Sequence, residues 1–130
     1  MAKILIADDD LASQWAAVRT LARSGHDLVE AKSGRGALAY LEAHGADLII
    51  LDLHLPGVAG ADVCRQLRAA SGLKRVPVLI LGNRLGPADV QAAWQAGADL
   101  VVAKPLSCSA LDEVVDHLLQ AGRAAVPQAA

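Results

Sequence analysis

Phenylalanine is absent from this chain of 130 residues, and its aromatic side chains are Trp15, Tyr40 and Trp94 alone. So few rings argue against a stacking surface for nucleic-acid bases and require a core built from Leu, Val, Ile and Ala. An excess of positive charge is lacking too: 12 Lys and Arg stand against 14 Asp and Glu, a formal net charge of −2. Without a basic surplus there is little to draw the chain onto a phosphate backbone, and direct contact with nucleic acid is not expected. No apolar run approaches the ~20 residues a membrane-spanning helix requires, and Ile4–Ala7 is too short for the core of a secretion signal. The expected location is the cytoplasm, with no membrane association. The two cysteines, Cys64 and Cys108, lie far apart and lack the paired Cys/His spacing of a zinc site, so neither suggests a disulfide framework or a metal centre.

What is present is apolar and regularly spaced. With 54% hydrophobic and 20% charged residues the chain has enough to bury for one soluble globular domain. Apolar runs of strand length recur at Ile4–Ala7, Leu28–Ala31, Leu48–Leu51, Val76–Leu81 and Leu100–Ala103. Apart from Glu30 in the second and Pro77 in the fourth they are continuous rather than alternating, as strands covered on both faces should be, and helical patterns separate them. Asp10 is placed to cap the first helix, whose Leu11, Trp15, Val18 and Leu21 recur near helical period. Ser33 is placed to cap the second, and Gly45 to close it. The third follows Gly60, with Val63, Cys64 and Leu67 inward, Arg65 and Arg68 outward, and a stop at Ser71-Gly72. Pro87 opens the fourth, and Ser107 or Ser109 caps the fifth, with its stripe of Leu111, Val114, Val115, Leu118 and Leu119.

Five β-α units in strict alternation predict a single α/β domain: a doubly wound, flavodoxin-like five-stranded parallel sheet with helices on both faces. The domain is expected over residues 1–122, and residues 123–130, which lose all period, as a disordered tail or the start of a linker.

In such a sheet, reactive groups belong at the carboxyl ends of the strands. Those ends read Asp8-Asp9-Asp10, Lys32, Asp52, Gly82-Asn83 and Lys104-Pro105. Asp8, Asp9 and Asp52 would repel one another if left alone, and a hard divalent cation such as Mg²⁺ would relieve that repulsion while keeping positions open for phosphate oxygens. Lys104 could pair with Asp52 in the empty site and with a phosphoryl oxygen in the filled one. The sequence leaves open whether Lys104-Pro105 is cis, since only ~5% of X-Pro bonds are.

Ile4–Asp10, Asp47–Gly57, Gly97-Ala98-Asp99 and Lys104-Pro105 together resemble the receiver domain of bacterial response regulators of two-component systems, over nearly the whole chain. The resemblance implies that Asp52 accepts a phosphoryl group from a histidine kinase or histidine phosphotransfer protein. Asp8, Asp9, Asp52 and the backbone carbonyl of His54 would hold Mg²⁺, and Lys104 would steady the phosphoryl oxygens. It implies an acceptor rather than an enzyme, with any catalysis confined to its own phosphorylation and dephosphorylation. The face formed by the fourth helix, fifth strand and fifth helix would meet a downstream protein, and a homodimer is left open.

Two positions depart from the family. A Ser or Thr usually follows strand four, where this chain has Gly82, and an aromatic usually stands three residues before the lysine, where it has Val101. The usual switch is therefore expected to be impaired or replaced, with Asn83 and Arg84 as candidate donors to the phosphoryl group. A receiver-fold interaction module that works without phosphorylation is the second expectation. Asp52–Gly57 also spells the DxHxxG pattern of cobalamin-binding domains, but after the third strand rather than the first. Asp8-Asp9-Asp10 meets the bare DxD of haloacid-dehalogenase phosphatases without their remaining acidic motif or cap. Trp15 and Trp94 are expected to pack on the core or a helix face, and His26, His44 and His117 to lie at the surface.

Overall fold

The computed structural model describes residues 2–70 and 72–125. In chain order they form β1 (Lys3–Ala7), α1 (Leu11–Arg23), β2 (Asp27–Ala31), α2 (Gly34–His44), β3 (Leu48–Asp52), α3 (Gly60–Ala69), β4 (Val78–Gly82), α4 (Pro87–Gln95), β5 (Leu100–Ala103) and α5 (Cys108–Ala125). All strand pairs are parallel, in the order β2-β1-β3-β4-β5. The doubly wound five-stranded α/β fold is the one the alternation predicts. The winding reverses between β1 and β3, and that places the crevice at their carboxyl ends.

β3 and β4 are buried along their whole length. Alternate residues feed two separate layers. Leu5, Ile49, Leu51 and Ile80 pack with Ala37, Leu41, Val63, Leu67 and Ala93 under α2, α3 and α4. Ile4, Ile6, Leu48, Ile50, Leu79 and Leu81 pack with Leu21, Leu111, Val115 and Leu118 under α1 and α5. No fully buried aromatic is needed, because short aliphatic side chains fill both layers.

Helix ends follow the capping residues. The Asp10 side chain accepts hydrogen bonds from the Ala12 and Ser13 amides, and Ser33 Oγ accepts one from Gly36. Ser107 rather than Ser109 caps α5, its Oγ accepting from the Ala110 amide at 3.1 Å. Gly45 (φ 70°) closes α2 in the left-handed region that glycine enters without a Cβ penalty.

Several local expectations are corrected. β4 begins at Val78 rather than Val76, because Pro77 has no amide to donate to a ladder. α1 is turned so that Leu11 and Trp15 are 67% and 62% exposed, while Gln14, Thr20 and Leu21 are buried. Gln14 takes the inward place because its Nε2 donates to the carbonyls of Ile6 and Ala31, tying α1 to the ends of β1 and β2. Trp15 instead lies under the Arg19 guanidinium, 5.0 Å from ring centroid to Cζ. Arg68 does not point outward; its side chain is 13% exposed and pairs with the buried Asp99. The helix α5 continues past residue 122 to Ala125, and the rest of the tail, 126–130, lies outside the described residues, as does Ser71, expected to end α3.

Candidate functional site

Parallel registry brings the acidic residues together. Ala7 stands opposite Leu51, so Asp8, one residue beyond β1, comes level with Asp52, the last residue of β3. Gly82 stands opposite Ala103, and Lys104 follows, its amide donating to the Gly82 carbonyl at 2.9 Å. Lys104-Pro105 is a cis bond. The lysine Nζ lies 2.7 Å from Asp8 Oδ2 and 3.1 Å from Asp52 Oδ2. Each carboxylate turns its second oxygen to a backbone amide: Asp8 Oδ1 accepts from Asp10 at 2.9 Å and Asp52 Oδ1 from His54 at 3.1 Å. Asp9 is exposed, yet one oxygen each of Asp8, Asp9 and Asp52 lie within 4.8 Å of one another.

Glycine at position 60 lets this corner close. Its amide donates to the Leu53 carbonyl, and a Cβ there would overlap the Asp52 carbonyl oxygen. Only a residue without a side chain brings the start of α3 this close to the end of β3.

The electrostatics are unequal. Burial acts to raise the Asp8 pKa, but hydrogen bonds from Lys104 and the Asp10 amide outweigh it and hold Asp8 below the ordinary carboxylate value. For Asp52 burial, reinforced by the neighbouring Asp8 carboxyl, outweighs the His54 amide and Lys104, and its pKa is raised. Burial would lower that of Lys104, and the two carboxylates more than reverse this, so the ammonium stays charged. Three carboxylates against one ammonium leave two negative charges uncompensated in the cluster. An all-oxygen donor set with that deficit fits a hard divalent ion.

The sequence-predicted residues thus fall into two groups. Asp8, Asp9, Asp52 and Lys104 converge, and His54 touches the cluster through its backbone while its side chain is exposed. Asn83 and Arg84 are exposed, and among the described residues neither reaches the carboxylates, although Asn83 shares with Lys104 a cavity of about 350 Å³ between α1 and the start of α5. Val101 is half-buried against the layer beneath α4. Three participants went unread in the sequence: Gln14, the Arg68–Asp99 pair and Leu85, which covers Gly82. Asp99 stood out as part of Gly97-Ala98-Asp99, but nothing local points to a partner 31 positions away.

Three carboxylates and a lysine at the crevice of a doubly wound α/β domain define a site suited to a divalent cation and a phosphoryl group. The response regulator receiver domain model matches residues 4–116. Among curated relatives, the transcriptional regulatory protein AfsQ1 of Streptomyces coelicolor is 36% identical over 122 residues, 94% of this chain and 53% of that protein. Among solved structures, the chemotaxis response regulator CheY4 of Vibrio cholerae superposes with a TM-score of 0.86 at 29% identity, covering 92% of this chain and 99% of that one. The receiver domain of the sensor histidine kinase PA1611 of Pseudomonas aeruginosa, which has a magnesium ion coordinated in its active-site cleft, matches with a TM-score of 0.86 at 25% identity over 92% and 98% of the two chains. The chain belongs to the response regulator receiver family and is a two-component phosphoacceptor domain. Membership over this span displaces the cobalamin and dehalogenase alternatives. The chain spans about half the length of AfsQ1 and 18% of the sensory/regulatory protein RpfC of Xanthomonas campestris. Among the described residues no helix is long and apolar enough to cross a membrane.

Proposed function

We propose that Asp52 is the phosphoacceptor and that the phosphoryl group comes from a histidine kinase or a histidine phosphotransfer protein. A carboxylate oxygen of Asp52 attacks phosphorus in line. The P–N bond of the donor phosphohistidine breaks, its electron pair stays on the imidazole nitrogen, and that nitrogen takes a proton. The observation that carries this role is the Lys104 ammonium held between Asp8 and Asp52, a charge already aimed at the place where phosphoryl oxygens would collect. Asp8 keeps that lysine in place, and the His54 amide fixes the rotation of the Asp52 carboxylate. Any catalysis is confined to the domain's own phosphorylation and dephosphorylation.

Asp8, Asp9, Asp52 and the backbone carbonyl of His54 are the groups proposed to hold Mg²⁺. When bound, the ion supplies charge neutralisation to the carboxylates and to the incoming phosphoryl oxygens. Its binding has a readout that needs no phosphoryl donor. Free Mg²⁺ at a hundred times its Kd is expected to stabilise the fold by ~2.7 kcal/mol, visible as a rise in thermal midpoint. Asp9→Ala removes the exposed ligand and is expected to erase most of that rise without lowering the metal-free midpoint. A variant that still gained the full shift would exclude Asp9 from the site.

Incubation with acetyl phosphate and Mg²⁺, followed by intact mass, tests the acceptor role: one added phosphoryl group, none with EDTA. The domain is proposed to work in the cytoplasm and to present its α4, β5 and α5 face to a downstream protein or a second copy. The second reading, an interaction module independent of phosphorylation, is favoured by one observation, the covered space at Gly82.

A further inference from the structure

Gly82 ends β4 between the strand that carries Asp52 and the strand that leads to Lys104. The space a side chain would take at this position is occupied. An added Cβ would stand 2.6 Å from Leu85 Cδ2, 3.3 Å from Leu85 Cγ and 3.4 Å from Leu53 Cβ. Leu85 therefore folds back over the glycine three residues before it. The path is set by Arg84, whose φ of 53° lies in the left-handed region that residues with a side chain seldom enter. Helix α4 starts directly afterwards, with the Gly86 amide donating to Asp89 Oδ2 at 3.0 Å and Pro87 in its first turn. Leu85 and Val101 both pack against the layer beneath α4, and the outer side of Leu85 lines a shallow groove with Pro87, Val90, Gln91 and Trp94.

We propose that Leu85 is a hydrophobic latch that holds the 83–86 connection against the sheet at all times, so that the α4 surface keeps one conformation whether or not Asp52 carries a phosphoryl group. A phosphoryl group can move this connection only through contacts that differ between two positions of it. Gly82 offers no side-chain hydroxyl, the isobutyl group above it has no donor, and Val101 is a β-branched aliphatic with restricted χ1. The inward position is filled by an apolar contact that exists beforehand. A partner on the groove would then read this surface constitutively, and the phosphoryl group would be read at the acceptor site itself. The second half of this inference rests on the acceptor role proposed above; the latch does not.

Hydrogen exchange of the whole chain, followed by mass spectrometry over residues 83–96, tests it in two arms. Without any phosphoryl donor, Leu85→Ala is expected to speed exchange in that segment about tenfold, leaving β1 and β3 unchanged. Leu85→Met, close in volume, is expected to stay near wild type. Equal rates in wild type and Leu85→Ala overturn the latch. If Leu85→Ala loses protection throughout, Leu85→Val, which keeps the fold's apolar contact but shortens the side chain over Gly82, decides instead: local acceleration supports the latch and unchanged exchange overturns it. The second arm adds Mg²⁺ and acetyl phosphate, with uptake read by intact mass on the same sample. Unchanged exchange over 83–96 in the phosphorylated wild type supports the latch, and a change beyond about threefold overturns it. A chain that takes up no phosphoryl group overturns the acceptor role, and the first arm then decides the latch alone.

Discussion

Asp52→Asn is expected to abolish phosphoryl uptake from acetyl phosphate while leaving the thermal midpoint at or above that of the wild type. An amide has no anionic oxygen to attack phosphorus, so the loss should be complete rather than partial. Its effect on stability follows from the surroundings. Asp52 is buried beside Asp8, and both burial and that carboxyl raise its pKa in the folded protein. The sign is then fixed. A raised folded pKa means the fold prefers the protonated carboxyl, and stability is lost as pH rises from the unfolded pKa through the folded one. At neutral pH the wild type carries that cost and the asparagine variant does not. The substituted amide would still offer an oxygen to the His54 amide, and Lys104 would keep Asp8 at 2.7 Å. The gap in midpoint should widen from acid to neutral pH. A phosphoryl adduct on the variant would move the acceptor to another carboxylate, Asp8 or Asp9 first.

Arg68→Met is expected to destabilise the fold by ~3–5 kcal/mol, as breaking one side of a buried ion pair does. For a domain of this size that is a large share of the whole, since stabilities run to ~5–15 kcal/mol. Methionine keeps the apolar stem but removes every donor. Arg68 Nη2 lies 2.9 Å from Asp99 Oδ2, and Nε and Nη2 both donate to the Gly97 carbonyl, at 3.0 and 2.8 Å. Nη1 gathers the carbonyls of Leu73, Lys74 and Val76 at 3.2, 3.3 and 2.6 Å. This one guanidinium thus satisfies the connection between α3 and β4 and the turn before β5. Asp99 Oδ2 also accepts from the Val78 amide at 2.8 Å, so the start of β4 depends on the same carboxylate. Denaturant unfolding measures the cost. Adding Asp99→Asn should recover part of it by removing the stranded charge, and a single-variant loss below ~1 kcal/mol would show the pair to be dispensable.

The sheet was legible because β1, β3 and β4 are covered on both faces and read as apolar runs, while the edge strands β2, broken by Glu30, and β5 are half-exposed. The cluster was legible for the same reason: Asp8, Asp52 and Lys104 each end such a run, and parallel registry then sets them side by side. Contacts made by side-chain reach across the fold were not. Leu11 and Trp15 carry a helical period, yet Gln14 occupies the inward position because its amide finds two strand carbonyls that no local pattern announces. Arg68 has the spacing of a solvent-facing residue, and only the folded distance to Asp99 turns it inward. Gly82 was visible as a missing hydroxyl. That Leu85 fills the space above it depends on a left-handed turn at Arg84, a residue type that gives no sign of it.

The two cysteines differ in exposure in a way that makes the molecule its own reporter. Cys64 is wholly buried on the inner face of α3, whereas Cys108 is exposed at the first turn of α5, its Sγ 3.1 Å from Thr20 Oγ1, and lines the same cavity as Lys104 and Asn83. A thiol-directed dye added to the native protein should therefore attach once, in the cavity between α1 and α5 that Lys104 also lines. Fluorescence from that position would follow changes around the Lys104 side of the fold in real time, in the unaltered sequence.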